Sequence, residues 1–306
     1  LSCKFYCIAF LFLYSGCYCL QAQNKLESFL SPSDSLNSER KTTVIVSEVT
    51  LVSGALVGLN QLWYADYPRS NFHFINDNAE WLQMDKVGHF YSSYQMGRFG
   101  SELLAWTGAS KKKQLCYGAG LGFAFLTAVE VLDGYSSQWG ASSGDIIANA
   151  SGTALYVSQE LLWNEQRIIP KFSFHSSHLA ASRPAVLGSN LIEQVLKDYN
   201  GQTYWLSVNL YSFAKASKIP KWINLAIGYG ADGMLTGNEE NSDISQLPQT
   251  KRFRRFYLSF DVDLTKIETK SHFLKTVFSV FNTLKIPAPT IEYSANEGFR
   301  GRIFYF

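Results

Sequence analysis

Two hydrophobic periods divide the chain. From about residue 42 to 167 apolar positions recur at helical spacing, and from 168 onward they alternate. The first pattern predicts four helices, at about 43–64, 86–107, 112–132 and 143–164. Each carries two small residues four apart: Gly54 and Gly58, Ser93 and Gly97, Gly118 and Gly122, Ala148 and Gly152. Such pairs put small side chains on one helix face and let backbones approach closely. A tight helical bundle is expected.

The second pattern predicts antiparallel strands. In "TYWLSVNLYSF" Tyr204, Leu206, Val208 and Leu210 oppose Trp205, Ser207, Asn209 and Tyr211. In "WINLAIGYG" Ile223, Leu225, Ile227 and Tyr229 oppose Asn224, Ala226, Gly228 and Gly230. In "FRRFYLSFDVDL" Phe256, Leu258, Phe260, Val262 and Leu264 oppose Arg255, Ser259, Asp261 and Asp263. Ten-residue alternating segments are what a membrane β-strand shows. A soluble sheet with one wet face shows them too. About six strands are recognisable, too few to enclose a water-filled pore. "SHFLKTVFSVFNTLKIP" gathers Phe273, Val277, Phe278 and Phe281 on one side of an amphipathic helix, which would lie on a membrane surface or cover the sheet. The fold class is therefore α+β: an N-terminal helical bundle at 42–167, then an antiparallel region at 168–306, membrane-associated or a partial barrel.

Composition moves this toward lipid. Charged residues make up 17% of the chain and aromatics 15%, against a usual charged fraction of about a quarter. The net charge of +2 comes with no basic stripe, so nucleic acid is not an expected partner. Lys4 followed by "FYCIAFLFLYSG" reads as a signal peptide over 1–22, cut after Ala22. The competing reading lipidates Cys17 in "YSGC", with Tyr14 where a lipobox prefers Leu. The Ser-rich stretch 23–41 reads as a flexible linker. Four of the five cysteines lie in the leader, which leaves Cys116 alone, expected as an inert packing residue, and no internal disulfide.

Polar groups collect at the helix ends. Asp85 and His89 share a face of the second helix, with Lys86 between them. Glu130 and Asp133 close the third. Ser142, Ser143, Asp145 and Asn149 open the fourth. Local roles account for several: Asp85 or Ser143 as helix caps, Asp133-Gly134 as a turn. His89 and Glu130 lie inside helices and cap nothing, and an ionisable group there is costly unless paired. A joint polar cluster is the expectation. As a metal site, His89, Glu130, Asp133 and Asp145 would hold a divalent ion such as Mn, Fe, Zn or Mg. As an acid–base site, Asp145 or Glu130 would orient His89, with Ser92 or Ser93 nearby. His175 and His178 are three apart on a strand and face opposite ways, so they are set aside.

"DKVGHF", "EVLDGYS" and "GASSGDIIANASGT", in that order, resemble the uncharacterised YfiM-like family of predicted periplasmic lipoproteins. "KDYNGQTYWLS" and "WINLAIGYGADGM" are similar to its longer Bacteroidetes members. The order Asp-Lys-x-x-His, Glu, Asp-x-x-x-Asn is also faintly similar to VanZ-like membrane proteins. The ending "FRGRIFYF" resembles the insertion signal of outer-membrane β-barrels, with Phe299 at a position that is usually polar. These resemblances imply a place in the envelope of a Gram-negative bacterium, periplasm or outer membrane, and no set chemistry. Two functions are expected to compete. One is a structural or assembly component with envelope protein partners. The other is a membrane hydrolase or transferase acting on a lipid or glycolipid through His89, Glu130 and Asp145.

Overall fold

The computed structural model describes residues 24–65, 67–215, 218–238 and 250–306. The expected leader, with Cys17 in it, lies outside the described residues. Helix α1 spans Ser38–Leu59, α2 Met84–Trp106, α3 Gly120–Gly134 and α4 Ser143–Trp163. Asn37 starts α1 by accepting from the Arg40 N–H at 3.0 Å, and a π-helical stretch, Asn60–Tyr64, continues it. A second, Gln114–Gly118, leads into α3. Two short strands, β1 (Phe74–Ile75) and β2 (Ala141–Ser142), pair in parallel beside the helices.

Helix α2 is the hub. A Cβ on Gly97 would lie 2.5 Å from Ala119 O, one on Gly122 2.2 Å from Ser93 O, and one on Gly152 2.2 Å from Phe90 O. Three of the four small-residue faces therefore serve backbone-to-backbone contact between α2, α3 and α4. The fourth departs from expectation. Among the described residues nothing lies within 4 Å of a Cβ on Gly54 or Gly58, and Val44 is the one buried residue of α1. The bundle has three tightly packed helices, with α1 alongside. Ile45, Val46, Val49, Leu51 and Val57 of α1 face outward. Ser38–Leu59 and Lys111–Gly134 are long and apolar enough to cross a membrane by length and composition.

Part of the expected linker is structured. Residues 24–30 are helical, and Phe29 O accepts from the Trp106 indole at 2.7 Å. The Arg40 guanidinium donates to Ser31 O at 2.7 Å and to Trp106 O at 3.2 Å. The reason is the C-terminus of α2, whose open carbonyls need donors. Cys116 also departs from expectation: it is exposed rather than packed.

Six antiparallel strands follow in chain order: β3 (Ile168–Phe174), β4 (Gln202–Asn209), β5 (Ile223–Asp232), β6 (Phe253–Val262), β7 (Ala288–Ser294) and β8 (Gly298–Tyr305). The sheet is not closed: among the described residues β8 pairs with β7 alone. The segment before β7 covers part of the other edge, where Phe172 N–H donates to Thr283 O and Lys285 N–H to Phe172 O, each at 2.9 Å. Helix α5 (Leu191–Lys197) lies between β3 and β4, and α6 (His272–Phe281) between β6 and β7. Helix α6 leaves Phe273, Leu274, Val280 and Phe281 exposed.

The faces of the sheet are inverted relative to a soluble protein. Lys171, Ser173, Ser207, Asn209, Asn224, Ser259, Asp261, Thr290 and Glu292 point inward and are buried. Leu206, Ile227, Phe256, Leu258, Phe260 and Ile291 point outward and are exposed, as are Phe299 and Ile303, each 78% exposed. The sheet curls around its polar face. Neighbouring strands lie about 4.8 Å apart, so a flat sheet would hold β4 and β8 roughly 19 Å apart. Yet the rings of Trp205 and Tyr305, on those strands, are 6.1 Å apart centre to centre.

Candidate functional site

The approach to α2 is strained. Trp81, Leu82 and Gln83 follow one another with φ of 48°, 52° and 66°, a left-handed run costing roughly 1 kcal/mol or more per residue. Contacts on both sides hold it. Trp81 N–H donates to Gly237 O at 2.9 Å, and the Tyr229 hydroxyl donates to Leu82 O. Gln83 reaches Asn78 O at 2.7 Å and receives Arg254 at 2.6 Å. The run ties the bundle to one end of the sheet and sets the direction in which α2 begins. Gln83 holds the cap position with no side-chain bond to the first turn of the helix, and Asp85 lies in that turn rather than capping it. At α4 the cap is Ser142, whose hydroxyl accepts from the Asp145 N–H at 3.2 Å. Ser143 is exposed and stands outside the cluster.

Lys86 is the cation of the site. Its Nζ lies 2.6 Å from Asp77 Oδ2, 2.8 Å from Asp145 Oδ2 and 3.2 Å from Asp85 Oδ2. His89 sits beside it. The ring Nδ1 pairs with Asn149 Oδ1 at 3.0 Å. This makes Nδ1 the donor and turns Nε2 toward three carboxylates: Asp85 Oδ1 at 3.8 Å, Glu130 Oε1 at 3.8 Å and Asp145 Oδ1 at 4.0 Å. The far oxygen of each acid is anchored. Glu130 Oε2 accepts the Ser142 N–H at 2.8 Å, and Lys86 takes Oδ2 of both aspartates. The Tyr199 hydroxyl donates to Asp85 Oδ1 at 2.6 Å.

Burial governs the ionisation of these groups. It pushes Glu130 up to about 7, against the pull of the Ser142 N–H and His89. It pushes Asp145 up to about 6, with Asp85 adding to the rise. For His89 burial works to lower the pKa, but Asp85, Asp145 and Glu130 outweigh it and the net shift is upward. For Asp85 burial works upward, and His89, Lys86 and Tyr199 reverse it, so its carboxyl is held below the usual range. Acids and an imidazole placed this way can exchange protons near neutral pH.

The structure thus brings together Asp85, Lys86, His89, Glu130, Asp145 and Asn149. It places Asp133 to one side, where its carboxylate accepts the Tyr64 hydroxyl at 2.7 Å and burial raises it to about 6. Ser93 is bound to Asn149 O at 2.6 Å and faces Thr153 at 2.8 Å, away from the imidazole. Asp77 and Tyr199 belong to the site without having been singled out. Both come from irregular segments, Asp77 just ahead of α2 and Tyr199 more than a hundred residues along the chain, where no periodicity marks a facing direction. Gly144 permits the closeness, since a Cβ there would meet Asn78 Oδ1 at 2.1 Å.

Residues 73–160 match the model of a family described as predicted periplasmic lipoprotein, DUF2279. The matched stretch contains β1, α2, α3, β2 and nearly all of α4, and with them Asp77, Asp85, Lys86, His89, Glu130, Asp145 and Asn149. The comparisons with curated proteins and with solved structures returned no match. The family match supports an exported cell-envelope protein.

Proposed function

We propose that the protein is an outer-membrane-associated envelope component, seated on lipid by the outer face of its curled sheet. The observation that carries this is the inversion of that sheet. Leu206, Ile227, Leu258, Phe260 and Ile291 are exposed while Lys171 and Asp261 on the other face are fully buried. In water this arrangement leaves a broad apolar surface wet, at roughly 25 cal/mol per Å². Against acyl chains the same surface is at home, and polar residues inside a curled sheet are what membrane-associated barrels contain. Exposed Phe273 and Phe281 on α6 extend the apolar surface. The test is fractionation of envelopes by density, with liposome flotation of purified protein. Wild type should travel with outer membrane and float. A triple variant, Ile227→Asp, Leu258→Asp and Ile291→Asp, should lose flotation. Wild type recovered in the soluble periplasmic fraction, or a triple variant that floats equally well, would sink the proposal.

A second reading has its own observation. The cluster around His89 is not fully paired, because Asp145 Oδ1 and Asn149 Nδ2 are buried without a hydrogen-bond partner among the described residues. A purely structural cluster tends to satisfy every buried group. This favours a hydrolase or transferase acting on lipid or glycolipid, with His89 as base and Glu130 and Asp145 positioning it. Release of acyl or head groups from envelope lipids, measured with wild type and His89→Gln, tests it. Equal turnover, or none in wild type, would remove it.

A further inference from the structure

We infer that Asp85, His89 and Asp145 form a binding site for one divalent transition-metal ion, with Glu130 beside it. One donor atom from each of the three lies within 4.8 Å of the others. Donors about 2.1 Å from an ion sit ~3.4 Å apart at tetrahedral angles. The separations from His89 Nε2, 3.8 Å to Asp85 and 4.0 Å to Asp145, need only a small contraction. They are too long for direct hydrogen bonds.

The anchoring of the donors supports the same centre. Lys86 binds Oδ2 of both aspartates, which leaves each Oδ1 turned to His89. Asn149 holds Nδ1 of His89, the arrangement that presents Nε2 as a lone pair. An unprotonated Nε2 facing three carboxylate oxygens is repulsive, and either a proton or a metal cation between them relieves it. Asp145 supplies an independent sign: it is 3% exposed, and its Oδ1, aimed at His89, has no partner among the described residues. The surrounding charge agrees. Asp77, Asp85 and Asp145 all pair with Lys86, and Glu130 lies beside them against His89, so among the described residues of the cluster Lys86 is the one permanent cation. A donor set of one imidazole and two or three carboxylates suits Zn²⁺, Mn²⁺ or Fe²⁺ rather than soft Cu(I).

The site is the one used by the second reading above, but the test does not depend on turnover. Full-length protein in detergent is stripped with chelator and titrated with Zn²⁺ and separately with Mn²⁺, by calorimetry and thermal melting. Wild type should bind one ion of at least one metal, with a saturable rise in Tm of ~5 °C or more. Asp145→Asn keeps the shape and removes a charge. Its ion-free Tm should be no lower than that of wild type, and its ion-induced rise should disappear. Asn149→Ala, which leaves the donors intact, should weaken affinity about 10–100-fold. Absence of saturable binding in wild type, or equal binding by folded Asp145→Asn, would overturn the assignment. A protein that binds no ion still leaves acid–base chemistry by His89 open. A protein that binds an ion without lipid turnover removes the enzyme reading alone.

Discussion

Lys171 Nζ on β3 lies 2.8 Å from Asp261 Oδ2 on β6, and both side chains are wholly enclosed. The two strands are three steps apart in the sheet, so this pair spans the inside of the curl. Lys171 also donates to Val262 O at 2.7 Å. Asp261 receives the Ser207 hydroxyl at 2.6 Å and the Ile286 N–H at 3.0 Å. Lys285 Nζ, equally enclosed, stands 3.9 Å from Asp261 Oδ1, so removing Lys171 leaves Asp261 with only that more distant cation. Lys171→Met should therefore lower stability by ~3–5 kcal/mol. The double variant with Asp261→Leu leaves buried Lys285 without its carboxylate, so it should recover only part of that loss, by denaturant melts in detergent. A double variant as unstable as the sum of the singles would mean that the two groups do not compensate each other.

The small-residue pairs predict opposite outcomes for one kind of substitution. Gly122→Ala forces a methyl to within 2.2 Å of Ser93 O, and rigid helices must separate to admit it. A loss of about 1–3 kcal/mol is expected. Gly54→Ala meets open space and gains helix propensity, so it should be neutral or stabilising by up to ~1 kcal/mol. Thermal melts of the two variants check this. A destabilised Gly54→Ala would show that α1 packs through its small face after all.

The contrast shows how far a local pattern carries. Helices and strands were legible because periods of 3.6 and 2 are written in neighbouring residues. The packing of Gly97, Gly122 and Gly152 followed from spacing, yet the same spacing at Gly54 packs against nothing among the described residues. Alternation marked two faces on each strand but is symmetric between a wet polar face and a buried one. Only the curl, seen in Trp205 beside Tyr305, distinguishes them. At the site, helix phase put Asp85 with His89 and Asp145 with Asn149. It could not choose Ser142 over Ser143 as the cap, because adjacent serines differ only in the backbone turn between them. Nor could it find Asp77 and Tyr199, whose loops approach through tertiary contacts, or detach Asp133, whose Tyr64 partner comes from the π-helical turn after α1.

His89 and Glu130 offer a coupling test. Their facing atoms are 3.8 Å apart across two helices, so neither residue's environment is independent of the other. His89→Ala and Glu130→Ala should each change stability. The double variant should differ from their sum by ~0.5–3 kcal/mol, because removing His89 also removes a cation that helps Glu130 ionise. Additive losses within ~0.5 kcal/mol would mean that the two do not interact.

The pH dependence of the ion-free protein should run opposite to ordinary acid denaturation across the neutral range. Asp145 is raised from 3.8 to about 6 and Glu130 from 4.5 to about 7. Between the ordinary and the raised values the folded chain holds protons that the unfolded chain has released, so stability falls as pH rises. His89 acts in the same sense. Its pKa is raised, so its contribution is complete below about 6.5 and is lost as pH rises through the folded value. Asp85 has the opposite sign, since its lowered pKa favours folding above its ordinary value, but that window closes well below pH 5. Chelator-stripped protein should therefore have a higher Tm at pH 5 than at pH 8. Asp145 alone would contribute ~1.4 kcal/mol of the difference, since only the part of its window from pH 5 to about 6 falls between the two conditions, at about 1.4 kcal/mol per pKa unit. Asp145→Asn and Glu130→Gln should each flatten the profile. A Tm that climbs from pH 5 to pH 8 in stripped wild type would show that these acids ionise in the folded chain without penalty.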